Sequence, residues 1–318
     1  MKRRTITASL LAASLLSLTC FGTVSVAADA YPAKPILTIV PFSAGGGNDI
    51  LLRVMGKYAQ KHLGQTLTID NKPGAGGQIG WTLLAKAKPD GYTIGAASLP
   101  SMIMIKELRK NVPFAMDDFD FVAAVQTDPI VWVVKEDSPF KTAADVVKAA
   151  KTKVLNVAGD GPQSNVQLQH LLAEKDGGFK TNFVPFNGSG KALTALMGGK
   201  VDLCASTLSA ADKQLANGLR ILVVFSDQKV GNLPTAAEAF GKPIAPVGAA
   251  IRGICAPKGL PADAKAKLEA GIKKICEDPE FLAEAKKMKL DIGFKGSKET
   301  QAIVNQTSKL VAENKDLF

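Results

Sequence analysis

This chain of 318 residues reads as an α/β protein of two lobes joined by a hinge of crossing strands. Three observations predict that class. Short β-rich apolar runs alternate with helical periodicity along nearly the whole chain, the pattern of a parallel-sheet α/β architecture. The later part of that alternation repeats the earlier part, glycine-rich loops included. Extended runs on either side of Thr127-Asp128-Pro129, and another over 220–225, look like passages from one lobe to the other. The expected lobes are 31–127 with 227–318, and 128–226.

Taken in order, the first thirty residues read as an export signal. Lys2, Arg3 and Arg4 precede an apolar stretch from Ala8 to Leu18, and small residues follow in Val26-Ala27-Ala28-Asp29-Ala30. Cleavage is expected after Ala28 or Ala30, which sends the mature chain to the periplasm. The apolar stretch falls short of the ~20 residues that a bilayer span requires. Cys20 follows Ser17-Leu18-Thr19, a poor lipobox.

The run over 36–40 is a strand, and Ile50, Leu51, Val54, Met55, Tyr58 and Ala59 recur beyond it at helical spacing. Between them lies Pro41-Phe42-Ser43-Ala44-Gly45-Gly46-Gly47-Asn48-Asp49. Glycines there bring bare backbone close to a ligand and offer N–H donors at the positive end of a helix, while Asn48 or Asp49 can cap it. Such a loop suits a carboxylate or phosphate. The strand over 67–69 and the loop Asn71 to Gly80, with Gly76 and Gly77, repeat the design. Pro89-Asp90-Gly91 turns into a strand over 92–97, with Ser98 at its end.

Extended runs over 121–126 and 130–134 carry the chain across the first hinge passage. The second unit follows with a strand over 154–158, the loop Gly159 to Asn165 and a helix over 166–174. A strand over 182–185, the loop Phe186-Asn187-Gly188-Ser189-Gly190, a helix to Met197 and a strand over 201–205 complete it. The run over 220–225 returns toward the first lobe. Residues 226–248, weakly patterned and containing Pro234, Pro243 and Pro246, are expected to wrap the surface near the hinge. A strand over 251–256 and C-terminal helices end the chain.

Composition narrows the function. Without Lys2, Arg3 and Arg4 the formal charge falls from +10 to +7, and the C-terminal lysines alternate with apolar residues as the wet face of an amphipathic helix. With few aromatics for base stacking, nucleic acid is not an expected partner. Cys204, Cys255 and Cys276 fit either one disulfide or buried thiols. His62 and His170 are the only histidines, no metal-ligand spacing occurs, and no cofactor is expected. GxSxG is absent, Gly188-Ser189-Gly190-Lys191 matches only the end of a Walker loop, and Gly159-Asp160-Gly161 reaches Ser164 where a dinucleotide fingerprint needs glycine. An enzyme is therefore not expected. A ligand held between helix N-termini of both lobes is, with Ser43, Asn48, Ser164, Asn165, Asn187 and Ser189 placed to orient a carboxylate or to cap their own helices.

Tyr31-Pro32-Ala33-Lys34-Pro35-Ile36, the PFSAGGGND segment at 41 to 49, Asn71-Lys72-Pro73-Gly74-Ala75-Gly76-Gly77, Pro89-Asp90-Gly91-Tyr92, Gly198-Gly199-Lys200-Val201-Asp202 and Ala256-Pro257-Lys258-Gly259 together resemble the tripartite tricarboxylate transporter receptors, the TctC-like or Bug proteins. The resemblance covers almost the whole mature chain. It implies a type II periplasmic binding-protein fold, a Venus flytrap, that closes on a carboxylated solute and delivers it to a large and a small integral membrane subunit. It assigns the solute to Phe42, Ser43, Ala44, Gly45, Gly46, Gly47, Asn48 and Asp49, with Gly76, Gly77 and Ser98. In the second lobe it assigns Gly161, Gln163, Ser164, Asn165, Asn187, Gly188 and Ser189. A monomer is implied. The family often has His-Leu where Asn165-Val166 stands and Tyr-Lys-Gly where Phe186-Asn187-Gly188 stands, so two charged partners for a distal carboxylate are absent. Arg252 is either their replacement or a residue of the hinge surface. Two rival readings are a receptor that reports to a membrane kinase and an exported enzyme acting on a carboxylated substrate.

Overall fold

The computed structural model describes residues 31–318 apart from Asn187 and Lys289. The export signal, its cleavage point and Asn187 lie outside the described residues. The first lobe opens with β1 (Ile36–Val40), α1 (Gly47–Leu63), β2 (Leu67–Asn71), α2 (Gln78–Ala85), β3 (Thr93–Leu99), α3 (Ser101–Leu108) and β4 (Phe119–Asp128). Pro129 ends that sheet, and β5 (Ile130–Lys135) begins the next. Then come α4 (Ala143–Ala150), β6 (Asn156–Asp160), α5 (Asn165–Gly177), β7 (Asn182–Phe186), α6 (Ser189–Met197), β8 (Leu203–Thr207), α7 (Leu208–Asp212) and β9 (Leu219–Phe225). After α8 (Ala236–Phe240) the chain re-enters the first sheet as β10 (Ala250–Pro257) and closes with α9 (Ala262–Glu277), α10 (Pro279–Lys287), β11 (Ile292–Lys295) and α11 (Ser297–Glu313).

The first sheet has six strands in the order β11-β4-β10-β3-β1-β2, and the second has five in the order β7-β6-β8-β5-β9. β1 pairs in parallel with β2 and β3, and β6 with β7 and β8, so the loops that follow these strands gather at one edge of each sheet. β10 runs antiparallel between β3 and β4, and β5 antiparallel between β8 and β9. These four strands carry the two passages, since β4 leads to β5 through Pro129 and β9 leads back to β10.

Each sheet buries apolar residues on both faces, which is why its strands read as near-continuous hydrophobic runs. On the first, Ile254 and Ala256 face Leu51, Met55 and Leu268, while Cys255 joins Trp81, Leu99 and Met102 on the other side. On the second, Trp132 packs with Phe179, Phe225 and Phe240, and Val131 and Val133 pack with Leu193 and Leu196. Leu168 and Leu172 of α5, a second-lobe helix, are buried in a cluster of first-lobe residues that includes Phe119 and Val311. Lys175 of α5 also donates to Asn314 Oδ1 at 2.7 Å.

Some elements differ from expectation. The strand expected over 154–158 starts two residues later: Val154 is 75 % exposed, and pairing begins where Asn156 donates its N–H to Asp202 Oδ2 at 2.8 Å. Residues 226–248 do more than wrap. Val224 donates to Pro234 O at 2.9 Å, Ala236 and Ile244 are buried in the second core, and Phe240 meets Trp132 at 5.5 Å. Residues 234–244, expected to run with the first lobe, thus pack on the second.

Candidate functional site

The loop after β1 is held open by its own side chains. Asp49, buried in the first turn of α1, accepts the Gly45 N–H on Oδ2 at 2.8 Å and Arg53 Nε on Oδ1 at 2.9 Å. Asn71, at the end of β2, donates to Asp49 Oδ1 and to Phe42 O, both at 3.0 Å. Burial alone would raise the Asp49 pKa, but hydrogen bonds from Arg53, Gly45 and Asn71 outweigh it and hold the carboxylate below its ordinary range. Asp49 therefore shapes the loop and is spent on it. What the loop presents outward is backbone: Ser43, Ala44 and Gly45 are exposed and Gly46 and Gly47 half-buried. Gly46 is the N-cap of α1 and offers no side-chain cap. The N–H groups of Gly47, Asn48 and Asp49 find no acceptor among the described residues, Ile50 being the first to bond back, to Gly46 O at 2.9 Å. Asn48 is 6 % exposed, and no hydrogen bond to its side-chain amide is seen among the described residues.

The neighbouring loops differ from one another. Gly76 is exposed, with Arg109 beside it donating to Ala75 O at 2.7 Å. Gly77 is buried, and a Cβ on it would stand 2.6 Å from the Trp81 ring. Its bareness therefore seats α2 against the sheet. Ser98 is 7 % exposed and lies opposite Arg252 in the register of β3 and β10.

In the second lobe several of the expected side chains are already engaged. Ser164 caps α5, accepting from Gln167 N at 3.1 Å and donating its hydroxyl to Asp160 O at 2.9 Å. Gln163 donates its N–H to Gln167 Oε1 at 2.7 Å. Ser189 donates to Asp160 Oδ1 at 2.7 Å, and Asp160, raised by burial against that bond, is a carboxyl with no cation beside it among the described residues. Gly161 is half-buried and Gly188 exposed; Gly188 is the N-cap of α6 and supplies no side-chain cap. Asn165 donates from Nδ2 to Gly248 O at 2.8 Å, and Gln169, one turn later, accepts the Gly248 N–H at 2.9 Å.

Those bonds to Gly248 bring the two loop sets to one place. Two residues after Gly248 β10 begins, pairing Ile251 with Leu99 and Arg252 with Ser98 at the end of β3. Arg252 then reaches α1: an ideal Cβ on Gly47 would lie 2.9 Å from its guanidinium carbon. The guanidinium donates from Nη1 to Gln126 Oε1 at 2.8 Å and stands 3.7 Å from Asp128 Oδ2. Its side chain is 15 % exposed. Desolvation lowers its pKa, and Asp128 only partly restores it. Asp128 is itself occupied by the Ser209 N–H at 3.0 Å and by the Ser209 hydroxyl. Arg252 thus links the crossing strand β4 to the start of α1.

A cavity of about 1130 Å³ lies elsewhere, on the β11 side of the crossing strands between Asp128, Phe225, Val230, Phe294 and Ile303. None of the expected site residues lines it. The glycine loops face solvent instead, so they form an open surface. Among the described residues no group of His, Cys, Asp or Glu is placed to hold a metal, and no helix is long and apolar enough to cross a membrane. Cys204, Cys255 and Cys276 are buried free thiols, and burial raises each of them.

Residues 51–314 match the family described as the tripartite tricarboxylate transporter family receptor. The chain belongs to that receptor family. A TctC solute-binding protein from Polaromonas is 27 % identical and superimposes with a TM-score of 0.79 over 91 % of this chain and all of its own. The periplasmic binding protein BugD is 27 % identical, with a TM-score of 0.74 over 90 % of this chain and 98 % of its own. MatC from Rhodopseudomonas palustris, solved with bound malate, is 26 % identical, with a TM-score of 0.70 over 88 % and 100 %. The fold is accordingly that of the two-lobed periplasmic solute-binding proteins, and the receptor family is one of binding proteins, not of enzymes.

Proposed function

We propose that this receptor captures a small carboxylated solute between its lobes and delivers it to the large and small membrane subunits of a tripartite carrier. The observation that carries the reading is the start of α1. Three consecutive N–H groups, Gly47 to Asn48 to Asp49, find no acceptor among the described residues and lie behind a glycine N-cap at the positive end of a helix of 17 residues. A carboxylate satisfies such donors without any cationic side chain. Gly188 at the start of α6 repeats the uncapped design in the other lobe. The malate held by MatC supports the same ligand class.

Closure supplies the mechanism. Moving the lobes from mostly open to mostly closed requires about 5.5 kcal/mol of preference for the closed form. A few buried charge-assisted hydrogen bonds at roughly 1.5–3 kcal/mol each are of that size. Release follows when the membrane subunits favour the open form. The receptor acts as a monomer in the periplasm, its leader removed after Ala28 or Ala30, and N-terminal mass spectrometry of the exported protein reads that cut directly.

A thermal-shift series of mono-, di- and tricarboxylates and aromatic acids tests the ligand class, since a solute at one hundred times its Kd adds about 2.7 kcal/mol to the native state. Gly46 has ordinary extended backbone, and a Cβ on it would stand 3.3 Å from Ser43 O of its own loop, so Gly46→Val is expected to fold with a small shift of that loop and to abolish the thermal shift. Normal binding by that variant would reduce the loop to scaffolding. Delivery is tested by solute uptake into vesicles holding both membrane subunits, with and without the receptor.

A further inference from the structure

The charge missing from the second-lobe loops has a counterpart at the hinge. Arg252 uses one of its three nitrogens: Nη1 donates to Gln126 and faces Asp128, while Nε and Nη2 have no acceptor among the described residues. The Nε–Nη2 side is the edge that grips a carboxylate with two parallel hydrogen bonds. Gly47 shows where that edge lies. An ideal Cβ there would be 2.9 Å from the guanidinium carbon, 2.9 Å from Nη2 and 3.0 Å from Nε. Near-equal distances place Gly47 over the flat face of the group, because an atom lying in the plane beyond the edge would be farther from the carbon than from the nitrogens. The in-plane edge is left uncovered by Gly47. A cation has thus been packed on the positive end of α1, beside N–H groups that are free among the described residues, and the carboxylate it faces, Asp128, lies on the opposite nitrogen and is already bonded to Ser209. Two like-signed elements side by side, one of them a largely buried guanidinium, are balanced by an anion.

We infer that the free edge of Arg252 clamps a carboxylate of the solute and sets this receptor's preference for solutes charged at that position. The inference rests on the carboxylate-binding reading above and goes further by naming the side chain that carries the charge. Gly47 is then required as glycine for a second reason: any side chain would push the guanidinium off the helix.

The test is calorimetric titration of wild type, Arg252→Gln, Arg252→Lys and Gly47→Ala with malate, adipate, citrate and benzoate, and with the monoamides of the first two acids. Whichever acid binds wild type should bind Arg252→Gln roughly ten- to hundredfold more weakly, with Arg252→Lys in between. Gly47→Ala, which keeps the charge but displaces it, should lose a similar factor. Where malate or adipate is the acid that binds, its preference over its monoamide should also shrink in Arg252→Gln; an arginine with only a structural role would weaken acid and monoamide equally. If wild type binds an acid and Arg252→Gln binds it as tightly, the clamp is wrong while the receptor reading stands. If no acid binds wild type, both fall together.

Discussion

At Asp49 a carboxylate 3 % exposed on its side chain lies within one helical turn of the N–H donors proposed above to hold a solute carboxylate. It does not compete for them, because Arg53, Asn71 and the Gly45 N–H consume it. Asp49→Ala should cost about 1–3 kcal/mol in chemical denaturation, the usual loss when such a buried network is broken. Its pKa is lowered in the fold, so its stabilisation is complete above the unfolded value of about 3.9 and is lost as pH falls through the lower folded value. Asp160 has the opposite sign. Burial raises it, so the native state is penalised as pH rises above about 3.9 through the folded value. Asp160→Asn should therefore melt higher than wild type at pH 7, with the difference closing near pH 3.5; an equal difference at both pH values would show that ionisation is not the cause. Residue roles were legible unevenly. The bare backbone at Gly45 to Gly47 follows from sequence, because absence of a side chain leaves few options. Whether Ser164 and Asp49 face a solute or their own helix does not, since a cap and a ligand contact call for the same side chains at the same spacing. The approach of Arg252 to Gly47 joins distant parts of the chain, and no local pattern encodes it.

Among the elements, α5 does the most to bring the lobes together. Gln169 is fully buried, accepting the Gly248 N–H and donating from Nε2 to Ala245 O at 3.1 Å. Gln169→Ala strands that N–H and that carbonyl and is expected to cost about 2–4 kcal/mol by thermal or urea unfolding. It should also weaken solute binding, because the same bonds hold Gly248 two residues before β10 and Arg252. Strands such as β1, β5 and β9 were readable because burial on both faces makes them continuous apolar runs. Of the elements that the pattern did not give, which include α3, α4, α7 and β11, α8 and the start of β6 have identifiable physical reasons. α8 has five residues, too few for a helical period to show, and its place comes from the Thr235–Glu238 capping box and from packing on Trp132. The start of β6 is set by a side-chain bond from Asp202 across the sheet, not by hydrophobicity, so the apolar Val154 was a false marker.

For the whole molecule the alternation and the repeated loops sufficed to foresee two sheets and their crossings. What pattern could not foresee is that the lobes share apolar packing through Leu168 and Leu172. Small-angle scattering should show a modest contraction when a bound solute is added, and Leu172→Ala should broaden the ligand-free distribution toward larger radii. Unchanged scattering in that variant would assign the separation of the lobes to the crossing strands alone.

The placement of those two leucines has a mechanical corollary. A swing that pulled α5 clear of the opposite body would wet both side chains, at about 1.5–3 kcal/mol each, on top of losing the Lys175 link to Asn314. In the closure proposed above, the helix would act as a doorstop that narrows the arc of the resting jaw.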